Sequence, residues 1–242
     1  RPLLVRDEDL ARYKDKVDDP ELASYLGMVA NIDDNIGRLL AQLTAWGLEQ
    51  NTLVVFMNDN GGATGAKFFN AGMRGGKSTP FLGGTRASSF WRWPGTLQPA
   101  AASQLTAHID FFPTLAALAG AKLDARASAQ IEGRSLVPLL ENPAAPWPDR
   151  TLITHAGRWD KGAPPESGKY VNCSVRTADF HLVSAGKSNR PEWLLFDVRT
   201  DYAEQHDLAA QQPQRVAAMA RAYEAWWTSV VPLMTNEQVV AS

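Results

Sequence analysis

A long apolar stripe leading into a short unbroken apolar run constrains this chain more than any other feature. Leu22, Tyr25, Val29, Ile32, Ile36, Leu39, Leu43 and Trp46 recur at spacings of three and four, the period of one helix face. Asp19-Pro20-Glu21 opens that helix with a capping side chain, a proline suited to the first turn and an acid near the positive end. Gly47 closes it. Leu53-Val54-Val55-Phe56-Met57 then reads as a strand buried on both faces. A long helix followed by such a strand predicts an α/β layer with a parallel sheet.

The stretch after this strand has its own character. No acidic residue lies between Asp59 and Asp110, yet Lys67, Arg74, Lys77, Arg86 and Arg92 do, with nine of the chain's 18 glycines. Glycine lets backbone N–H groups approach a ligand, and cations without competing carboxylates suit an anion. A solvated flexible loop is the plainer alternative. Asp59 and Asn60 directly follow the strand, where open α/β sheets bind ligands. A carboxylate and an amide oxygen are hard ligands for Ca²⁺ or Mg²⁺, although Asp-Asn-Gly is also ordinary turn chemistry. Arg74-Gly75-Gly76-Lys77-Ser78-Thr79 superficially resembles a phosphate loop, but the glycine interval is wrong and Pro80 opposes an immediate helix.

The remaining chain divides in two. Residues 1–19 are a polar lead-in with one short helix. Arg86 to Trp93 reads as a strand, Asp110 as the cap of a helix ending at Gly120, and Ser135 to Leu140 as a helical turn or two. Pro143, Pro146 and Pro148 mark a subdomain boundary, giving segments 1–148 and 149–242. Beyond it, Thr151–Thr154, Tyr170–Arg176, Phe180–Ser184 and Trp193–Val198 are strand-like, with Thr177-Ala178-Asp179 as a turn lacking glycine. Val216, Met219, Tyr223, Trp226 and Trp227 stripe a helix from Pro213 to Val230. These predict a four-stranded antiparallel sheet with a helix laid across it.

Composition removes whole classes of function. With 45% hydrophobic and 21% charged residues over 242 positions, the chain is neither fibrous nor disordered and can bury a core unaided. A net charge of −2 provides no global field for nucleic acid or anionic membrane, and no apolar run approaches the roughly 18 residues of a membrane span. One cysteine, Cys173, excludes a disulfide framework within the chain. Within a strand-like run it reads as a buried structural thiol rather than a nucleophile. Asn172-Cys173-Ser174 is formally a glycosylation acceptor. His108, His155, His181 and His206 lack metal-ligand spacing.

The ordered set of short motifs resembles the sulfatases. It comprises Tyr25 with Asp33-Asp34-Asn35-Ile36-Gly37-Arg38-Leu39, Asn51 to Phe56, Asp59-Asn60-Gly61, Arg74-Gly75-Gly76-Lys77, Gly83-Gly84-Thr85-Arg86 and Trp93-Pro94-Gly95. It continues through His108 to Leu115, Glu132 to Leu136, Leu195-Phe196-Asp197 and Asp207-Leu208-Ala209. The resemblance implies a type I sulfatase of the alkaline phosphatase superfamily, which cleaves sulfate esters with Ca²⁺ and a formylglycine made from Cys or Ser in Cys/Ser-x-Pro-x-Arg. That motif and the family's early Asp-Asp pair are absent, so the chain looks like the C-terminal portion, inactive alone. It would comprise part of an alkaline-phosphatase-like sandwich and a small antiparallel subdomain. Arg1-Pro2 would supply the end of a His-x-Pro element, placing a sulfate-contacting histidine just upstream.

By the same resemblance, Asp59 and Asn60 are calcium ligands and Lys77 is the catalytic, sulfate-binding lysine. Leu82 departs from a common glutamate and Asn58 from a frequent serine. The implied partners are a sulfate-ester small molecule or sulfated glycan and the missing N-terminal portion of the same protein. The implied location is periplasmic or secreted. A phosphodiesterase or phosphonate hydrolase of the same superfamily, or a non-catalytic interaction module, are the alternatives.

Overall fold

The computed structural model describes residues 3–234, so Arg1-Pro2 lies outside them. The lead-in forms α1 (Asp7–Leu10), and the striped segment forms α2 (Pro20–Ala45). Asp19 caps α2 through its side chain, accepting from the amides of Glu21 at 2.7 Å and Leu22 at 3.0 Å. Gly47 ends it in the left-handed region, with φ +70°.

The face that α2 buries is not the predicted one. Its buried residues are Ala23, Gly27 and Ala30, one small residue per turn, set against α1. Any side chain at Gly27 would press on Val5 and the Asp9 backbone. The buried Asp9 carboxylate completes the contact, accepting from Arg6 Nε at 2.8 Å and Asn31 Nδ2 at 2.9 Å. Half of the large apolar stripe is left outward: Ile32 and Leu39 are each 51% exposed and Trp46 63%, while Leu22, Tyr25, Ile36 and Leu43 are half-buried.

The strand expectation also needs correcting. β1 (Val54–Met57) pairs antiparallel with β2 (Ser89–Arg92), with Val55 opposite Trp91. Among the described residues β1 has that single neighbour, so its second half stays open to solvent, with Phe56 and Met57 exposed. A strand can be buried on both faces only where layers cover both.

After β2 come α4 (Phe111–Leu118), α5 (Ala125–Gln130) and α6 (Val137–Glu141), with α3 (Leu82–Thr85) preceding β2. Asp110 does not cap α4 with its side chain. Its fully buried carboxylate instead accepts from the amides of Ala107 (2.7 Å) and Arg134 (2.8 Å) and from Arg150 Nη1 (2.7 and 2.8 Å). An arginine 40 residues later in sequence competes successfully for that carboxylate.

The C-terminal strands form one antiparallel meander: β3 (Leu152–His155), β4 (Cys173–Arg176), β5 (Phe180–Ser184) and β6 (Trp193–Asp197). Thr177 makes the glycine-free β4–β5 turn workable, since its hydroxyl accepts from the Phe180 amide at 3.1 Å. Helix α7 (Pro213–Val230) sets Met219, Tyr223 and Trp227 onto Cys173, Val175, Leu182 and Leu195. The other sheet face, with Val183 and Phe196, packs on Phe81 and Leu82. The two-residue alternation of β5 therefore feeds two layers, the helix on one side and the glycine-rich segment on the other.

Candidate functional site

The site builds outward from the carboxyl end of β1. The Asn58 amide donates to the Ser88 carbonyl at 3.1 Å, so Asp59 and Asn60 leave the sheet where β1 stops. Gly61 donates to the Gly84 carbonyl at 3.0 Å, and a side chain at Gly61 would overlap the Gly83 carbonyl. The Lys77 amide donates to the Gly62 carbonyl at 2.9 Å, which brings the Lys77 backbone beside the loop bearing Asp59 and Asn60. Ser78, next to Lys77, holds a left-handed φ of +70°. Lys77 is followed by a turn and Pro80, not by a phosphate-loop helix; α3 begins at Leu82. Leu82 is buried in the cluster with Val183 and Phe196, an apolar setting that suits leucine at this position.

The acid-free stretch is acid-free in sequence only. Lys67 pairs with Glu21 of α2 at 3.1 Å, and Arg92 pairs with Glu49 at 2.5 Å. Arg74 lies over the Phe81 ring at 4.1 Å and Arg86 over Tyr202 at 5.2 Å. Of the five cations, Lys77 alone has a side chain with no ion pair, hydrogen bond or ring contact among the described residues. The Asp59 carboxylate is likewise exposed and unpaired among them. The Asn60 amide donates to the Gly61 carbonyl at 3.0 Å, which leaves its side-chain oxygen as the available acceptor.

These donors fit a hard cation in kind. Asp59 and Asn60 offer a carboxylate and an amide oxygen, the ligand types Ca²⁺ and Mg²⁺ take. They do not fill a coordination shell, and no group of three or more His, Cys, Asp or Glu residues among the described residues can hold a metal alone. Cys173 is fully buried and burial pushes its thiol up to about 12, so it is protonated and inert at neutral pH.

Two buried polar groups carry no local sequence signal. His181 Nδ1 meets Glu204 Oε1 at 2.6 Å, both side chains being essentially inaccessible. Burial holds the imidazole below its usual range, against the opposing pull of Glu204. The second Glu204 oxygen accepts from the Leu82 amide at 2.8 Å. The 122 positions between Leu82 and Glu204 hid that link; only the place of His181 in a strand was readable.

Comparison with known proteins identifies the class. The sulfatase family model matches residues 5–121, which include Asp59, Asn60 and Lys77. The uncharacterized sulfatase YdeN of Escherichia coli K12 is 29% identical over 222 residues, covering 81% of this chain and 39% of its own length. Mouse steryl-sulfatase is 31% identical over 234 residues, covering 84% and 37%. The crystal structure of Ps i-CgsB in complex with k-i-k-neocarrahexaose superposes with a TM-score of 0.82 at 28% identity, covering 99% of this chain and 50% of that one. The chain belongs to the sulfatase family, with an alkaline-phosphatase-like fold. It spans 37–39% of those curated relatives and half of the solved one.

Proposed function

We propose that this chain carries part of the active site of a sulfatase that hydrolyses sulfate esters. A preceding N-terminal portion of the same protein would supply the formylglycine nucleophile and the other metal ligands. The observation that carries the reading is the uncommitted Lys77 ammonium, on a backbone hydrogen-bonded at 2.9 Å to the loop of Asp59 and Asn60. Residues 1–148 would act as the second half of the catalytic α/β domain and 149–242 as the C-terminal subdomain. The outward stripe of α2 and the open half of β1 support that arrangement as surfaces suited to a covering layer. The oligosaccharide in the Ps i-CgsB complex supports a sulfated glycan as substrate, and the similarity to steryl-sulfatase supports a smaller sulfate ester.

The chain's own chemistry in that site follows from its groups. Asp59 and Asn60 would ligate Ca²⁺, which when bound orients the nucleophile and neutralises sulfate oxygens. Lys77 would meet a sulfate oxygen and stabilise the negative charge that grows on the ester as its bond breaks. Because no carboxylate claims its ammonium among the described residues, Lys77 need not break an ion pair to do so.

The test uses the full-length enzyme with an aryl sulfate and a calcium titration. Lys77→Ala is expected to lower kcat by about 10²–10³ while leaving calcium affinity unchanged. Asp59→Ala should weaken calcium binding. Full activity in both variants would overturn the site assignment, and preferential turnover of a phosphonate monoester would favour the alternative hydrolase.

A further inference from the structure

Glu204 is an unusual residue for a buried turn. Its backbone is left-handed, with φ +53°, a conformation that is uncommon away from glycine. Its side chain is fully buried against His181, with the Arg176 guanidinium of β4 near enough to act on it electrostatically. Burying a carboxylate is expensive unless each oxygen is satisfied, and strained backbone tends to gather where function requires it. Both oxygens are satisfied here, one by His181 at 2.6 Å and one by the Leu82 amide at 2.8 Å. The Glu204 carbonyl meanwhile accepts from Arg74 Nη1 at 3.0 Å.

Arg74 and Leu82 are the two ends of the segment that carries Lys77. The Gly83 amide closes that segment on itself, donating to the Arg74 carbonyl at 2.8 Å. The Arg74 guanidinium is pressed over the Phe81 ring at 4.1 Å, so its bond to Glu204 is held from both sides. The base is firm: Asp201 accepts from the amides of Gln205 at 3.0 Å and His206 at 2.7 Å, and Asp207 ties the turn to β6 through the Leu195 amide at 2.9 Å. His181 comes from the neighbouring strand β5 and orients the carboxylate.

We propose that Glu204, oriented by His181, is a positioning residue that grips both ends of the Arg74–Leu82 loop and so holds Lys77 in register with the Asp59–Gly62 loop. It touches no reacting atom; it acts through Lys77. The proposal rests on the reading of Lys77 as the sulfate-facing cation. A buried apolar side chain at position 204 could fill space, but it could not accept from the Leu82 amide.

The test is a double-mutant cycle in the full-length enzyme with an aryl sulfate, comparing wild type, Lys77→Ala, Glu204→Ala and the double variant. Glu204→Ala should lower kcat/KM by about tenfold to a hundredfold through misplacement of the lysine. In the Lys77→Ala background the same change should cost less than about twofold, since its effect passes through the missing group. Amide hydrogen exchange should show protection lost at residues 74–84 and kept at residues 213–230. If Glu204→Ala fails to fold, Glu204→Asp replaces it in both readouts, because its shortened carboxylate keeps the charge but falls short of the Leu82 amide. Equal costs in both backgrounds, or unchanged protection at 74–84, would overturn the proposal while leaving the Lys77 reading intact. A fully active Lys77→Ala enzyme would instead bring down that reading, and the proposal with it.

Discussion

Helices α2 and α7 look alike in sequence and differ sharply in what they bury. Both begin with proline and carry large apolar residues at helical spacing. In α7 the stripe is spent: Met219, Tyr223 and Trp227 fill one face of a four-stranded sheet. In α2 none of the stripe is fully buried and half of it faces out, the buried positions being Ala23, Gly27 and Ala30 instead. An apolar stripe therefore marks a face that needs cover, without saying which layer provides it. The C-terminal sheet finds its cover within the chain. The α2 and β1 layers do not among the described residues, which accords with a chain spanning well under half of its curated relatives.

The largest effect is expected at the buried pair between the residue preceding α4 and a residue just before β3. The Asp110–Arg150 pair is buried, with side chains 0% and 5% exposed. Removing one partner strands a charge and two backbone amides that Asp110 now satisfies. Asp110→Ala is expected to destabilise the chain by about 3–5 kcal/mol. Urea denaturation followed by circular dichroism measures it, and a loss under 1 kcal/mol (about a fivefold change in the folded ratio) would show that the junction carries little.

The second comparison is within the apolar residues themselves. Leu195 is fully buried under α7, so Leu195→Ala should cost about 2–5 kcal/mol. Leu39, on the open α2 stripe, should cost no more than about 0.5 kcal/mol when changed to alanine in this chain. Repeating the Leu39 variant in the full-length protein sharpens the result: a layer covering α2 there should raise its cost several-fold. Equal, small costs in both settings would mean that the stripe stays open.

Acid should act on the C-terminal region. Burial holds both His155 and His181 below the ordinary histidine value of 6.5. His155 Nδ1 accepts from the Gly157 amide at 2.8 Å, a bond the protonated ring cannot keep. Above the ordinary value both folded and unfolded chains carry neutral rings, and stability is complete. As pH falls through 6.5 the unfolded chain takes up protons first, so stability is lost on acidification. The slope should reach at most about 1.4 kcal/mol per pH unit for each ring. Denaturation midpoints between pH 7.5 and 5.5 test it, and His155→Gln should flatten the curve; a midpoint that rises with acid would reverse the sign.

How much was legible follows the same division. The C-terminal strands and α7 were readable because their partners lie within a few dozen residues and their patterns are satisfied locally. The Asp19 cap and the Gly47 stop were readable because they act within one turn. What escaped was long-range. Asp110 reads as a cap until Arg150 arrives, and Lys67 and Arg92 read as free cations until Glu21 and Glu49 are folded against them. Asp59, Asn60 and Lys77 were readable as candidates by motif. The Glu204 bond to the Leu82 amide was not, since no pattern couples one carboxylate to a backbone amide 122 positions away.

The smallest effect separates the two helices by their starts. Asp19 accepts from two amides at the head of α2, while Gln212, ahead of α7, makes no side-chain capping bond. A helix whose buried face is only small residues should lean on its cap; one pinned by Tyr223 and Trp227 should not. Asp19→Ala is expected to cost about 1 kcal/mol and Asp19→Gly only a few tenths, because glycine leaves the amides open to water. Gln212→Ala should stay within about 0.5 kcal/mol of the parent. Amide exchange locates the difference: Asp19→Ala should raise exchange over residues 21–27 and leave residues 213–230 unchanged. If Asp19→Ala were silent while Gln212→Ala loosened α7, local capping would matter more where packing is already dense, and the contrast between a helix held by its ends and one held by its face would fail.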